Sequence, residues 1–261
     1  MAIITVANTK GGVGKSTIAA NLAAGIEHDG RPVSVFDLDL QQRSLSQFIN
    51  ARHHASGPGR RNMTLADLRF DPHLPAEARR LAFQTQLEGL ARDLSAKGAV
   101  VLIDLPAGGG AFAETVLGMT DVLITPMNDS FVDLNAIEAT NGEIGELGRL
   151  VASARRRRKE AGQPAFHWAV MLNRVSPLES LQSQPVRERL HTLSRIWSFA
   201  LAGALTERLA HRALFDQGRT LVDQAAAQNA SAPSLEHGLE EIISLLRVLG
   251  LGGPNGRQGV Q

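Results

Sequence analysis

A glycine-rich segment near the start of the chain constrains its fold more than any other feature. Residues 8–17 read NTKGGVGKST, after an apolar run at 2–7 and before residues 18–24, which lack strand character. The order strand, glycine-rich loop, helix is the one that a phosphate-binding loop requires. Glycines let backbone N–H groups converge on phosphate oxygens, and the helix N-terminus adds a positive dipole end. The segment therefore predicts a nucleotide-binding α/β domain.

The polar groups of this loop have distinct predicted roles. Lys15 is expected to reach the β- and γ-phosphates, and the Ser16 hydroxyl is expected to ligate Mg²⁺. Further contacts to the nucleotide are expected from Gly11, Gly12, Val13, Gly14 and Thr17. ATP and Mg²⁺ are therefore the expected ligands.

A second lysine, Lys10, departs from the ordinary pattern of such loops. That pattern needs a glycine five places before Gly14, where this chain has Thr9. The sequence Lys-Gly-Gly-x-Gly-Lys-Ser-Thr resembles the deviant Walker A motif of the ParA/MinD family. The resemblance implies an ATP-dependent homodimer in which Lys10 reaches the partner subunit's nucleotide, so Lys10 joins Lys15 as a catalytic candidate.

Three aspartates lie where predicted strands end. Residues 32–37 lead into Asp37-Leu38-Asp39, and residues 98–106 contain Asp104 after a β-branched run. Open α/β sheets bind ligands at the carboxyl ends of their strands, where an Asp can orient water or hold Mg²⁺. The resemblance assigns water activation to Asp39, while Asp37 is expected to support the loop. Ser16, Asp39 and Asp104 are the predicted metal residues. The fold class is thus a doubly wound, mostly parallel sheet flanked by helices.

Composition supports one substantial domain. The chain has 261 residues, 43% of them apolar and 20% charged, which suits a globular core. We expect one ATPase domain over residues 1–250 and a disordered tail over 251–261. The net charge is only +1, no signal peptide is evident, and no apolar run approaches the roughly 20 residues that span a bilayer. A cytoplasmic, soluble protein is expected.

Missing residue types narrow the function. The chain has no cysteine, so its own side chains cannot hold the iron–sulfur clusters or zinc that several relatives of this loop family use. It also has no tyrosine, which excludes the bacterial kinases that phosphorylate their own tyrosine-rich tails.

Two later segments complete the predicted nucleotide site. Pro106-Ala107-Gly108-Gly109-Gly110 is a flexible loop able to sense the γ-phosphate. Asn173 follows a predicted strand at 165–172, where the family's Asn recognises adenine, and an amide offers both a donor and an acceptor. A turn-stabilising role for Asn173 remains open.

A longer resemblance narrows the family. The segment Thr-Pro-Met-Asn-Asp-Ser-Phe-Val-Asp at 125–133 is similar to the MipZ family of division-plane-positioning ATPases, and ordered matches run over nearly the whole chain. This resemblance implies inhibition of FtsZ assembly, localisation by a ParB-like protein, and retention on chromosomal DNA at the nucleoid.

DNA binding has evidence on both sides. Candidate phosphate-contacting residues are Arg187, Arg189, Arg195, Arg208 and Arg212. Leu181, Pro185 and Thr206 instead stand where the MipZ comparison suggests DNA-contacting arginines. A predicted helix over 134–161 ends in the basic run 155–159, which is either a nucleic-acid patch or a solvated helix end.

Three other functions remain open. A ParA-type partition or cargo-positioning ATPase would bind nucleoid DNA without affecting FtsZ. A MinD-like membrane ATPase is disfavoured, because the amphipathic helix predicted at 234–249 carries Glu236, Glu240 and Glu241 against Arg247. A metabolic P-loop ligase, similar to dethiobiotin synthetase, would need no lysine across a dimer interface.

Overall fold

Seven parallel strands form the sheet at the centre of the molecule. The computed structural model describes residues 3–56, 62–66, 68, 73–109, 112–175, 183–206, 213–227 and 233–251. Within these ranges the sheet order is β3-β2-β4-β1-β5-β6-β7, and every strand pair is parallel. The strands are β1 (Ile3–Val6), β2 (Val33–Asp37), β3 (Met63–Leu65), β4 (Val100–Asp104), β5 (Val122–Met127), β6 (His167–Val175) and β7 (Ala200–Thr206). The predicted α/β fold is confirmed.

Helices cover both faces of this sheet. They are α1 (Lys15–His28), α2 (Ser44–Ser56), α3 (Ala76–Ala96), α4 (Ala113–Met119), α5 (Phe131–Leu134), α6 (Glu146–Glu160), α7 (Ser183–Trp197), α8 (Leu221–Ala227) and α9 (Pro233–Val248). One apolar core lies between the sheet and α1, α2, α8 and α9, and a second lies beneath α3, α4, α6 and α7. Strand residues alternate between these cores, because successive side chains point to opposite faces.

Strand register brings the predicted acidic residues to one edge. Val6 at the end of β1 pairs with Asp104, and Asp104 pairs in turn with Asp37 on β2. The phosphate-binding loop leaves β1 at the same level, since parallel strands share their carboxyl edge. The fold therefore places the loop and the aspartates side by side.

The helix predicted over residues 134–161 is confirmed from Glu146 to Glu160 and is wrong over its first part. The chain forms the short α5, then a loop, and only then α6. In the loop, Glu138 and Ile144 form an antiparallel bridge, and Gly142 has a φ of 84°. Gly145 passes so close to the carbonyl of Ala136 that a Cβ would clash with it. The turn at 140–142 interrupts the predicted helix. It contains an Asn-Gly dipeptide, which commonly marks a turn.

A buried ion cluster joins three helices on one face of the sheet. Arg52 of α2, only 7% exposed, donates to Glu27 of α1 at 2.7 Å and to Asp223 of α8 at 2.7 Å. His28 lies 3.0 Å from the same Asp223 carboxylate. Any residue larger than glycine at position 218 would clash, because its Cβ would meet the Arg52 backbone. The sequence gives no local sign of this cluster, since its members are far apart in the chain.

We expect Asp223→Asn to destabilise the fold by about 3 kcal/mol at pH 7, because it removes one partner of a buried arginine. Burial alone would raise the pKa of Asp223, but hydrogen bonds from His28 and Arg52 outweigh it and hold that pKa well below its usual value. The carboxylate therefore stabilises the fold above the unfolded pKa of about 4, and its contribution falls as the pH drops below that value.

Denaturant unfolding at pH 7 and pH 3 measures this effect. The difference in unfolding free energy between Asp223→Asn and the parent should be smaller at pH 3 than at pH 7. The matched control is Asp216→Asn, at an exposed carboxylate of the same segment. Equal unfolding free energies for the two variants at pH 7 would contradict the assignment.

Candidate functional site

The loop between β1 and α1 has the shape that backbone phosphate binding requires. Gly12 and Gly14 have φ values of 74° and 88°, a region that side chains rarely adopt. Helix α1 begins at Lys15 directly after Gly14, and the Ile18 amide donates to the Gly14 carbonyl at 2.9 Å. The first amides of α1 therefore remain at the carboxyl edge of the sheet, where an anion can accept from them.

Two asparagine side chains connect this loop to strands β5 and β6. Asn8 donates through Nδ2 to the Pro126 carbonyl at 2.8 Å and accepts from the Lys10 amide at 2.9 Å. Asn173, at 7% exposure, donates through Nδ2 to the Val13 carbonyl at 2.8 Å. A Cβ on Gly14 would clash with that Asn173 amide. Asn173 thus supports the phosphate-binding loop, as the stabilising role left open by the sequence would, and its contact with adenine stays a prediction.

Lys15 lies inside the loop. Its Nζ donates to the Lys10 carbonyl at 3.0 Å, and the residue is 8% exposed. Burial lowers the pKa of Lys15, while the charges of Asp104 and Asp39 act in the opposite direction. A buried ammonium whose one hydrogen-bond partner among the described residues is the Lys10 backbone carbonyl is suited to binding phosphate oxygens.

Asp104 is the carboxylate of the site whose negative charge is least favourably placed. It is fully buried, and neither carboxyl oxygen has a hydrogen-bond partner of regular geometry among the described residues. Burial raises the pKa of Asp104 to about 7, and the nearby Ser16 hydroxyl and Lys15 charge only partly offset this. An unpaired buried carboxyl of this kind is suited to a bound cation.

Ser16 and Asp104 together fit the requirements of Mg²⁺. Among the described residues, no three His, Asp or Glu side chains converge as a complete metal site. Mg²⁺ is commonly held by one or two protein oxygens, with waters and substrate phosphates supplying the rest. The unpaired carboxyl oxygens of Asp104 beside the Ser16 hydroxyl therefore match a magnesium site that forms with nucleotide.

The loop after β2 separates the two neighbouring aspartates. Asp37 accepts from the Ser46 amide and hydroxyl, each at 2.8 Å, and from the Asp39 amide at 3.1 Å. Asp39 accepts from the Gln42 amide at 3.0 Å and is partly exposed. Asp37 is thus bound within the loop, whereas Asp39 keeps contact with solvent near Lys15.

Lys10 is held within its own chain. Its Nζ donates to the Val132 carbonyl and lies 3.6 Å from Oδ1 of Asp133 at the start of α5. Asp133 is buried, and its other carboxyl oxygen accepts from the Asn128 amide at 2.7 Å. The sequence placed Asp133 in the segment similar to MipZ but did not identify it as the partner of Lys10.

The glycine loop after β4 contacts the phosphate-binding loop directly. The Gly108 amide donates to the Thr9 carbonyl at 2.7 Å, and both Gly108 and Gly109 have positive φ values. Phe112, just before α4, stacks on Phe83 of α3 with ring centroids 3.8 Å apart.

Comparison with known proteins identifies this arrangement. The family model described as ATPase MipZ matches residues 2–253. The chain belongs to the MipZ family of ATPases. It is also 27% identical over 238 residues to the protein ParA of Rhizobium radiobacter, covering 91% of this chain and 92% of that protein. As a family member, the chain is a ParA/MinD-type ATPase.

Two solved structures share the fold of this MipZ-family chain. Apo McdA from Cyanothece superposes with a TM-score of 0.67 at 18% identity, covering 94% of this chain and 99% of McdA. The septum site-determining protein MinD from Pyrococcus horikoshii, complexed with Mg-ADP, gives a TM-score of 0.62 at 20% identity, covering 95% of each chain. At these identities the likeness concerns the fold.

The candidate DNA-binding arginines are not equally available. Arg189 of α7 pairs with Glu138 at 3.2 Å and donates to the Ala139 carbonyl, while Arg195 is exposed. Arg187 is half-buried near Asp129, where burial raises the pKa of the Asp129 carboxyl and the charge of Arg187 only partly offsets this. The positions Arg208, Arg212 and Leu181 lie outside the described residues. DNA binding stays a prediction.

Thr206 and Pro185 stand at two positions where the MipZ comparison suggested DNA-contacting arginines. Thr206 donates to Glu241 of α9 through its hydroxyl at 2.7 Å and its amide at 3.2 Å. Pro185 is exposed in the first turn of α7.

The basic run at the end of α6 does not form one surface. Arg158 is buried and donates to the carbonyls of Pro164, Gly118 and Thr120. Arg155 donates to the carbonyls of Trp197 and Ser198 and lies over the Trp168 ring. These two arginines are therefore structural. The remaining basic residues of the run, Arg156, Arg157 and Lys159, are exposed.

The C-terminal helix α9 packs into the core. Ile242, Leu245 and Leu246 are buried, and Leu246 lies where a Cβ on Gly25 of α1 would be. None of the helices within the described ranges is long and apolar enough to cross a membrane. The predicted tail lies outside the described residues except for Leu251, which is buried.

Proposed function

We propose that this chain is an ATP-switched dimer that regulates the position of cell division by inhibiting FtsZ assembly. The observation that carries the proposal is the match to the ATPase MipZ family model over residues 2–253. The phosphate-binding loop with its additional Lys10 supports the switch. What the switch controls rests on family membership.

ATP is the proposed substrate, and the loop residues 11–17 are its proposed phosphate-binding site. Lys15 is proposed to neutralise the β- and γ-phosphates, and Asn173, which donates to the Val13 carbonyl of the same loop, is the proposed contact of the base. Ser16 and Asp104 are the proposed Mg²⁺ residues, with Asp39 acting through water. When bound, Mg²⁺ would neutralise phosphate charge as it develops.

Hydrolysis is proposed to be slow and to depend on Asp39. Its carboxylate is partly exposed at the carboxyl edge, where it can accept a hydrogen bond from an attacking water. Because Asp37 is fully engaged by Ser46 and the Asp39 amide, Asp39 is the better candidate of the pair.

Dimerisation is proposed to use the same edge of the sheet. Three large apolar side chains are exposed around it: Leu40 at 47%, Phe131 at 41% and Val132 at 66%. Exposed large apolar side chains at one edge of a sheet favour a protein interface. Lys10, partly exposed beside Val132, would leave Asp133 and contact the partner's phosphates.

The proposed partners follow the family. A ParB-like protein would localise the ATPase, and chromosomal DNA would retain its dimer at the nucleoid. Arg187, Arg189 and Arg195 on α7 are the proposed DNA contacts within the described residues, although Arg189 must first release Glu138. FtsZ would be the target of the dimer.

FtsZ sedimentation tests this proposal. With Mg-ATP, the protein should reduce the amount of pelleted FtsZ polymer by about half or more at an equimolar ratio. Lys15→Ala should have no effect on the polymer, because nucleotide binding is lost. Unchanged polymer in the presence of the ATP-bound dimer would refute FtsZ inhibition while leaving the ATPase assignment intact.

A partition or cargo-positioning ATPase is the second candidate. The 27% identity to ParA over most of both chains favours it. It predicts ATP-dependent retention on DNA without any change in FtsZ polymer. The ligase alternative has no support from family membership, and the packing of α9 into the core disfavours a MinD-like membrane helix.

A further inference from the structure

The side chain of Asn8 extends the sheet beyond the end of β1. This strand ends at Val6, and the Ala7 amide still donates to the Ile124 carbonyl of β5 at 2.9 Å. Two residues further along β5, the Pro126 carbonyl accepts from Nδ2 of Asn8 at 2.8 Å. Because hydrogen bonds between parallel strands are evenly spaced, the Asn8 side chain takes the place of the next backbone donor. Asn8 is only 1% exposed, so its loss would leave a buried carbonyl without this donor.

The same side chain also fixes the backbone of Lys10. Oδ1 of Asn8 accepts from the Lys10 amide at 2.9 Å, two residues along the chain, which is the hydrogen bond of an Asx turn. This turn directs the chain from the strand into the phosphate-binding loop. Since both polar atoms of its amide are engaged, Asn8 connects the backbone of Lys10 directly to β5.

The other end of Lys10 is held by the segment that continues β5. Its Nζ donates to the Val132 carbonyl and lies 3.6 Å from Oδ1 of Asp133. Residues 126–133 therefore hold both ends of this lysine, one through Asn8 and the other through Asp133. When the ion pair with Asp133 opens, only the Lys10 side chain is released, because the backbone contact remains.

A second asparagine holds a different part of the loop. Asn173 of β6 donates to the Val13 carbonyl at 2.8 Å, and α1 begins directly after Gly14. The amides proposed to bind phosphate lie next to this second contact, whereas Lys10 lies next to the Asn8 contact. Loss of the Asn8 contacts should therefore leave the phosphate-binding amides supported.

We propose that Asn8 is a positioning residue for Lys10. By fixing the Lys10 backbone, Asn8 determines where the ammonium arrives when it leaves Asp133 for the partner subunit's nucleotide. Such preorganisation lowers the conformational entropy that is lost on association. The crossing of Lys10 to the partner rests on the proposed function, whereas the contact between Asn8 and the Lys10 backbone does not.

Two nucleotide titrations separate positioning of Lys10 from general support of the loop. Asn8→Ala should raise the concentration of Mg-AMPPNP needed for half-maximal dimerisation, measured by light scattering, at least about tenfold. Its Kd for Mg-ADP, measured on the monomer by calorimetry, should change by less than about twofold. Asn173→Ala should instead raise both values by similar factors. The matched control Asn50→Ala, at an exposed asparagine of α2, should match the parent in both titrations.

Asn8→Ser is a milder variant of the same position. Its hydroxyl can accept from the Lys10 amide in a turn of similar shape, but it lacks the second polar atom that binds the Pro126 carbonyl. It should therefore dimerise at a Mg-AMPPNP concentration between those of the parent and Asn8→Ala. The proposal is wrong if Asn8→Ala dimerises as the parent does, or if its Kd for Mg-ADP rises by the same factor as its dimerisation concentration.

Hydrogen exchange in the nucleotide-free protein distinguishes failure of this proposal from failure of the proposed function. The Lys10 amide should exchange at least about tenfold faster in Asn8→Ala than in the parent, because its acceptor is lost. If it does so while the parent forms no dimer with nucleotide, the proposed dimer switch fails and the contact between Asn8 and Lys10 stands. Equal exchange rates in the two proteins would show that Asn8 does not hold Lys10, and would overturn the proposal whatever the oligomeric state.

Discussion

Asp104→Asn should stabilise the nucleotide-free protein by about 2 kcal/mol at pH 8 while lowering ATP hydrolysis at least about 100-fold. Asp104 is fully buried with unpaired carboxyl oxygens, so its charge is unfavourable until a cation binds. The amide removes that charge but cannot replace the carboxylate at a magnesium site. Stability and activity should therefore change in opposite directions.

The pH dependence has a defined sign. Burial raises the pKa of Asp104 to about 7, above the unfolded value of about 4. The folded protein therefore keeps a proton that the unfolded chain loses, and stability falls as the pH rises from about 4 through 7. At pH 5.5 the folded carboxyl is protonated, so the advantage of Asp104→Asn should be smaller than at pH 8.

Thermal unfolding with and without Mg-ATP, together with phosphate release, measures both effects. Mg-ATP should raise the melting temperature of the parent but not that of Asp104→Asn. The control Glu160→Gln changes an exposed carboxylate at the end of α6 and should match the parent in both assays. A variant that melts earlier and still hydrolyses ATP would refute the role given to Asp104.

Lys10→Ala should abolish ATP-dependent dimerisation, whereas Asp133→Asn should promote it. Lys10 is paired with Asp133 in the single chain, and the same ammonium is proposed to contact the partner's nucleotide. Breaking a partly exposed ion pair of about 1 kcal/mol lowers the ATP concentration needed for dimerisation about fivefold. Alanine at position 10 can neither pair with Asp133 in the monomer nor contact the partner's nucleotide in the dimer.

Light scattering across an ATP titration distinguishes the two variants. Lys97→Ala is the matched control, because it removes an exposed lysine at the end of α3, away from this edge. If Lys10→Ala dimerises with ATP as the parent does, the contact across the interface is wrong. If Asp133→Asn needs the same ATP concentration as the parent, the intrachain pair does not oppose dimerisation.

Local sequence predicted the parts of the site that local chemistry determines. The loop around Gly14 and the aspartates at the strand ends were recognisable because each combines a fixed residue pattern with a strand or helix boundary. Parallel register then placed Asp37 and Asp104 together without further information. The fold class followed from the same alternation of strands and helices.

The remaining features depend on contacts between distant segments. The Lys10–Asp133 pair spans more than 120 residues, as the Lys10–Val132 contact does at 122. The sequence suggested that Arg158 is exposed, yet it is buried and donates hydrogen bonds to three backbone carbonyls outside its helix. The helix predicted at 134–161 begins only at Glu146, because a turn at 140–142 overrides helical spacing in its first part. Periodicity and composition carry no information about such contacts.

The molar mass of Asp39→Ala with Mg-ATP, compared with Mg-ADP, tests the ATP-driven dimer most directly. Removing the proposed water-activating carboxylate should keep ATP intact and the dimer assembled. Light scattering should give about twice the chain mass of 27.9 kDa with ATP and the monomer mass with ADP. A monomer under both conditions, while ATP remains bound, would contradict the account.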